Sequence, residues 1–75
     1  NNVVIYPNPA KNNLNIQNAK NASVKVFDLL GRIVLLKNNI SLNQQLDVSK
    51  LTTGTYLIKI INGNQIKTDK FIINR

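Results

Sequence analysis

Seventy-five residues without cysteine or histidine make one domain, 1–75, with no disulfide to staple it, none of the usual zinc ligand sets and no usual general base. Its only acids, Asp28, Asp47 and Asp69, fall in separate segments and form no catalytic carboxylate pair, so the chain reads as a non-enzyme without cofactor or metal. The formal charge of +7 raises nucleic acid or an anionic surface as partners, yet the basic residues stand singly and Tyr6, Phe27, Tyr56 and Phe71 are too few for a base-stacking platform.

Val3-Val4-Ile5-Tyr6 opens the chain as an extended apolar run, and Pro7-Asn8-Pro9 stops it. Two prolines remove two backbone donors, and Pro9 drives Asn8 away from helical angles, so this stretch is extended and stands outside the interior of any sheet. Leu14-Asn15-Ile16-Gln17 alternates and predicts a half-buried strand, followed by a polar loop from Asn18 to Asn21. From Ser23 to Asp28 the alternation puts Val24 and Val26 on one face, Lys25 and Phe27 on the other. Asp28-Leu29-Leu30-Gly31 is a tight connection in which Gly31 takes the positive φ of a G1-type bulge. The returning strand is Arg32 to Lys37, and its unbroken Ile33-Val34-Leu35-Leu36 predicts cover on both faces for part of its length. Asn38-Asn39 ends it.

Gln45 to Val48 is a short strand with Leu46 and Val48 facing in. Ser49 to Thr53 is a brief turn, at most one turn of 3₁₀ helix, with Leu51 set into the core. Gly54 restarts the chain into Thr55 to Ile61, where Tyr56, Ile58 and Ile60 share a face. Asn62-Gly63 sits between two strand-like runs and predicts a two-residue type I′ hairpin. The last strand runs from Gln65 to Ile73.

About seven short strands, with no internal repeat and no long helix, predict an all-β fold. The simplest solution is a small immunoglobulin-like antiparallel β-sandwich, with a small open barrel as the alternative. No apolar run approaches the ~18 residues of a membrane span, so no membrane insertion is expected. The chain has neither a starting methionine nor a basic-then-apolar leader, and reads as a fragment of something longer. Heavy use of Asn, Ile and Lys is what an AT-rich bacterial genome encodes. The dispersed positive charge reads as a solvated surface, with no nucleic acid partner.

Four features follow one another in order. They are Tyr6-Pro7-Asn8-Pro9, Phe27-Asp28-Leu29-Leu30-Gly31-Arg32, the stretch Leu46-Asp47-Val48-Ser49-Lys50-Leu51-Thr52-Thr53-Gly54-Thr55-Tyr56, and Lys70-Phe71-Ile72-Ile73. Together, from Val4 to Arg75, they resemble the type A carboxy-terminal sorting domain of cargo proteins of the type IX (Por) secretion system of Bacteroidota. The resemblance implies a β-sandwich that acts as a secretion signal for a covalently linked amino-terminal cargo. Its implied partners are the type IX outer-membrane translocon, the shuttle protein of that membrane, and a sortase-like cysteine peptidase that removes the domain. The implied route is through the periplasm to the cell surface or the medium.

Within the motifs, Pro7, Asn8 and Pro9 are expected to form a stiff stop, and Gly31 and Gly54 to supply turn angles. Tyr56 is expected in the core or at its rim. Arg32 and Lys70 are the candidate recognition residues. If Thr68, Lys70 and Ile72 alternate with Asp69 and Phe71, the Lys70 stem covers apolar neighbours while its ammonium stays in water. The final strand then offers Phe71, Ile72 and Ile73 as apolar contact and its backbone edge to a partner. A fibronectin-like adhesion or carbohydrate-binding module is the competing class, but neither an aromatic platform nor an acidic calcium loop is present.

Overall fold

Short runs of alternating apolar and polar residues, cut by turn formers, give strands that each have one face to bury. The computed structural model describes residues 2–75. Seven strands form, β1 (Val4–Tyr6), β2 (Asn13–Gln17), β3 (Ser23–Phe27), β4 (Ile33–Lys37), β5 (Asn43–Asp47), β6 (Gly54–Asn62) and β7 (Gln65–Ile73). They make a smaller antiparallel sheet, β1-β2-β5, and a larger one, β4-β3-β6-β7, packed as an all-β sandwich. The pairs β3-β4 and β6-β7 are hairpins, whereas β2-β5 and β3-β6 join strands distant in the chain, as in immunoglobulin-like folds.

The core lies between the sheets. Leu14, Ile16 and Leu46 meet Val24, Val26, Ile58, Ile60, Phe71 and Ile73, all buried. Each such side chain contributes about 1.5–3 kcal/mol on leaving water, which is how so short a chain offsets its conformational entropy. Tyr56 and Phe71 are register partners across β6 and β7, and their rings stack with centroids 5.7 Å apart. The Tyr56 hydroxyl escapes burial without a partner by donating to the Thr52 carbonyl at 2.6 Å.

Connections also feed the core. The stretch expected as a polar loop is a tight crossing that buries Ala19 and Ala22 completely. Asn18 and Asn21 take φ values of 71° and 70°, which asparagine tolerates better than most residues. The Asn21 N–H donates to the Ile40 carbonyl at 2.8 Å, and the Ile40 N–H to the Ala22 carbonyl at 3.1 Å.

Several expectations shift. The run Ile33-Val34-Leu35-Leu36 is not covered on both faces, because β4 is an edge strand of the larger sheet. Only Leu35 packs against the core, and Ile33 and Leu36 are 52% and 55% exposed. A register shift between Val26 and Phe27 places Ile33, rather than Val34, opposite Phe27. The smaller sheet's β5 begins two residues before Gln45 and leaves Val48 just outside the strand, still buried. Residues 49–53 form no 3₁₀ helix, only a turn closed by the Leu51 N–H on the Val48 carbonyl at 3.0 Å. The β6-β7 turn also lies one residue later than expected: Asn62 pairs with Gln65, so Gly63 and Asn64 form its tip. Gly63 has φ 62° while Asn62 and Asn64 keep negative φ, the pattern of a type II′ turn rather than I′.

Candidate recognition site

β7 is the other edge strand of the larger sheet, where unpaired backbone groups invite a further strand. Half of that edge is already occupied by the Pro7-Asn8-Pro9 segment. Asn8 Oδ1 accepts the Ile72 N–H at 3.0 Å, and Asn8 Nδ2 donates to the Lys70 carbonyl at 3.4 Å. The Ala10 N–H donates to the Ile72 carbonyl at 2.7 Å, and the Asn74 N–H to the Ala10 carbonyl at 3.0 Å. One amide side chain thus does for β7 what a neighbouring strand would do. The flanking prolines add no N–H that could extend the sheet. The motif expected to stop the first strand also closes the last one. Asn8→Ala is expected to cost about 1–2 kcal/mol, since a donor and an acceptor are lost together. Urea unfolding checks this: the midpoint should fall with an unchanged slope.

The β3-β4 turn forms around Asp28. Its Oδ1 accepts the N–H groups of Leu30 at 2.9 Å and Arg32 at 3.0 Å, and its Oδ2 takes the Arg32 Nε–H at 2.7 Å. The Gly31 N–H donates to the Asp28 carbonyl at 3.0 Å, and Gly31 adopts φ 86°, the left-handed conformation expected of it. Gly54 at φ 157° likewise occupies backbone space that side chains disfavour.

These bonds set a pH dependence. The Arg32 backbone N–H, then its guanidinium and the Leu30 N–H, hold the Asp28 carboxyl below its ordinary 3.8. The Ser49 hydroxyl and N–H lower Asp47 in the same direction. Folding therefore depresses both pKa values, so the stabilisation they give is complete above the unfolded value and is lost as pH falls through the lower folded ones. The thermal midpoint is expected to stay level from neutral pH to about pH 5 and to fall below about pH 4. Asp28→Asn should make that fall shallower.

Arg75 is a structural residue that reading the sequence missed. Its Nη1 donates to the Leu51 carbonyl, its Nη2 to the Val48 carbonyl at 2.7 Å, and its Nε to Asn12 Oδ1 at 3.2 Å. The planar guanidinium fork thereby ties the end of the chain to the turn before β6 and to the loop before β2. The only hint in the sequence is an arginine following a strand, which is indistinguishable from a solvated charge.

The expected recognition residues separate into two groups. Phe71 and Ile73 point into the core at 1% and 0% exposure, so the apolar contact that the final strand presents is that of Ile72, 42% exposed. Lys70 lies on the outer face opposite Leu57, among apolar neighbours as the alternation implied. Arg32 is exposed at 72% of its side chain and ion-paired with Asp28. Arg32 borders β4 and Lys70 lies on β7, at opposite edges of the larger sheet. Three strand spacings of about 4.8 Å separate those edges, and the fold does not bring the two residues together. Tyr56 is a core residue at 6% exposure. The described residues hold no cluster of His, Cys, Asp or Glu able to bind a metal ion, and no helix long and apolar enough to cross a membrane.

Residues 4–74 match the family of secretion system C-terminal sorting domains. Beta-agarase D of Zobellia galactanivorans is 38% identical to this chain over 56 residues, which cover 75% of the chain and 11% of the agarase. A fold of the same kind occurs in PorZ, described as an essential bacterial surface component of the type-IX secretion system of Porphyromonas gingivalis. There the TM-score is 0.75 at 21% identity, over 97% of this chain and 11% of that one. The chain thus spans 11% of the length of either protein. With the match running from the first strand to the residue after the last, the chain belongs to the family of secretion system C-terminal sorting domains, the carboxy-terminal secretion signals of the type IX system.

Proposed function

We propose that this domain carries an attached amino-terminal cargo from the periplasm through the type IX outer-membrane translocon, with the outer-membrane shuttle protein as a further partner. A sortase-like cysteine peptidase then removes it, leaving the cargo at the cell surface or in the medium. The domain itself performs no catalysis. The observation that carries this reading is the match to the sorting-domain family over residues 4–74, which includes every strand. In cells that possess the system, the cargo's extracellular amount should collapse when residues 1–75 are removed, with the truncated protein retained in the periplasm.

Recognition falls to the outward residues of the final strand and to the exposed turn. Lys70 and Ile72 make contact, Arg32 marks the turn, and Phe71 and Ile73 hold the strand in place from the core side. Pro7, Asn8 and Pro9 keep the strand's edge in one conformation. Lys70→Ala is expected to leave stability within about 0.5 kcal/mol, as for most surface substitutions, and yet to slow export. Lys70→Glu should slow it more. Thermal midpoints and extracellular reporter measured on the same two variants check this: normal export by both would mean that Lys70 is only a solvated edge lysine.

A further inference from the structure

Three lysines that stand singly in the sequence are gathered on one face of the fold. On the outer face of the larger sheet, Lys25 is the direct register partner of Lys59. Lys59 is opposite Thr68, one step diagonal from Lys70. Like charges facing each other across two strands destabilise a sheet, and nothing here offsets that repulsion. Among the described residues the one ion pair joins Arg32 to Asp28, and Asp69 alternates to the other side of β7. The smaller sheet contrasts with this. Its outward positions on β2 and β5 are Asn13, Asn15, Gln17, Asn43 and Gln45, with the acid Asp47 and no cation.

The lysine face is also apolar. Phe27 and Leu57 are register partners in its centre, Ile33 and Leu36 extend it across β4, and on β7 Ile72 stands beside Lys70 with Ile66 beyond Thr68. Ile66 is 62% exposed, so this side of the domain keeps a substantial apolar surface in water. A groove of about 350 Å³ opens on it between Phe27, Leu57, Lys59, Thr68 and the turn from Asp28 to Gly31, where the Asp28 carboxylate is taken up by Arg32.

We propose that the outer face of the larger sheet docks an acidic protein surface, whose apolar side chains enter the groove while its carboxylates meet Lys25, Lys59 and Lys70. The proposal rests on the reading of the chain as a sorting signal and names the chemistry of the partner in the export machinery. An anionic polysaccharide would supply charge and could stack a sugar face on Phe27, but it has no apolar side chain to cover Leu57 and Ile72. A lipid surface would supply both but has no projecting group to fill a recess. On such a face lysine stems can cover apolar neighbours while their ammonium groups meet partner carboxylates, which speeds encounter and fixes register.

The test uses the full cargo protein in cells with the export system and compares two triple variants of equal net charge. One reverses the face (Lys25→Glu, Lys59→Glu, Lys70→Glu), and the other reverses three loop lysines (Lys11→Glu, Lys20→Glu, Lys50→Glu). With thermal midpoints matched, the face triple should export at least about tenfold more slowly, and the loop triple within about twofold of the parent. If the face triple folds poorly, the corresponding Lys→Gln triple, which removes the Lys25–Lys59 repulsion, takes its place. A benzophenone side chain at Leu57 should form a protein adduct that the face triple loses, and one at Asn15 on the amide face should not. Equal export by both triples, whether normal or slowed, would overturn the proposal. So would a lipid or glycan adduct at Leu57, or loss in the face triple of parental binding to phosphatidylglycerol vesicles. Failure of the parent itself to depend on the export system would instead sink the underlying reading, and it is seen in the parent alone.

Discussion

Phe71→Ala is expected to unfold the domain and with it to abolish sorting, while Ile72→Ala one residue on should leave the domain folded and only slow export. Phe71 is 1% exposed and stacks on Tyr56, so truncation loses both the transfer of a large ring and its cross-strand contact, at about 3–5 kcal/mol. A 75-residue domain has on the order of 4–11 kcal/mol to lose in total. Ile72 is 42% exposed on the opposite face, and its truncation should cost about 1 kcal/mol or less. Urea unfolding of the two variants side by side reads the alternation of β7 directly. Similar losses at both positions would mean that the strand's faces have been exchanged.

Arg75→Ala should cost about 2 kcal/mol, an unusual amount for a residue outside the strands, because it removes charge-assisted hydrogen bonds to the carbonyls of Val48 and Leu51. Arg75→Lys should recover little of this. A point-charge ammonium cannot span two carbonyls and Asn12 as the guanidinium fork does. Thermal midpoints of the two variants check this, and a fully stable lysine variant would mean that charge alone suffices at that position.

What could be read in advance was whatever a single strand declares about itself. The alternation of Val24 with Lys25, and of Tyr56, Ile58 and Ile60 with their neighbours, fixes which face is buried whatever lies opposite. Gly31 was legible because a tight turn demands a φ that side chains resist. The exposure of Ile33 and Leu36 was not, since four apolar residues in a row look the same on a covered strand and on an edge. Position in the sheet decides between the two, and pairing between distant strands sets that position. The same limit applies to Asn8 and Arg75, whose partners Ile72 and Val48 lie 64 and 27 residues away. It applies equally to Lys25, Lys59 and Lys70, which no spacing in the chain marks as one group. The burial of Phe71 and Ile73 was equally illegible, because an apolar run by itself carries no sign of which neighbour it packs against.

The measurement closest to the central claim is sufficiency. Residues 1–75 are appended to a reporter that an ordinary signal peptide delivers to the periplasm. The fusion is then expressed in a bacterium with the type IX system and in the same strain lacking the translocon. The appended chain is predicted to send the reporter outside the first strain and to leave it in the periplasm of the second. Equal extracellular reporter from both strains, or retention in both with the domain folded, would contradict the account.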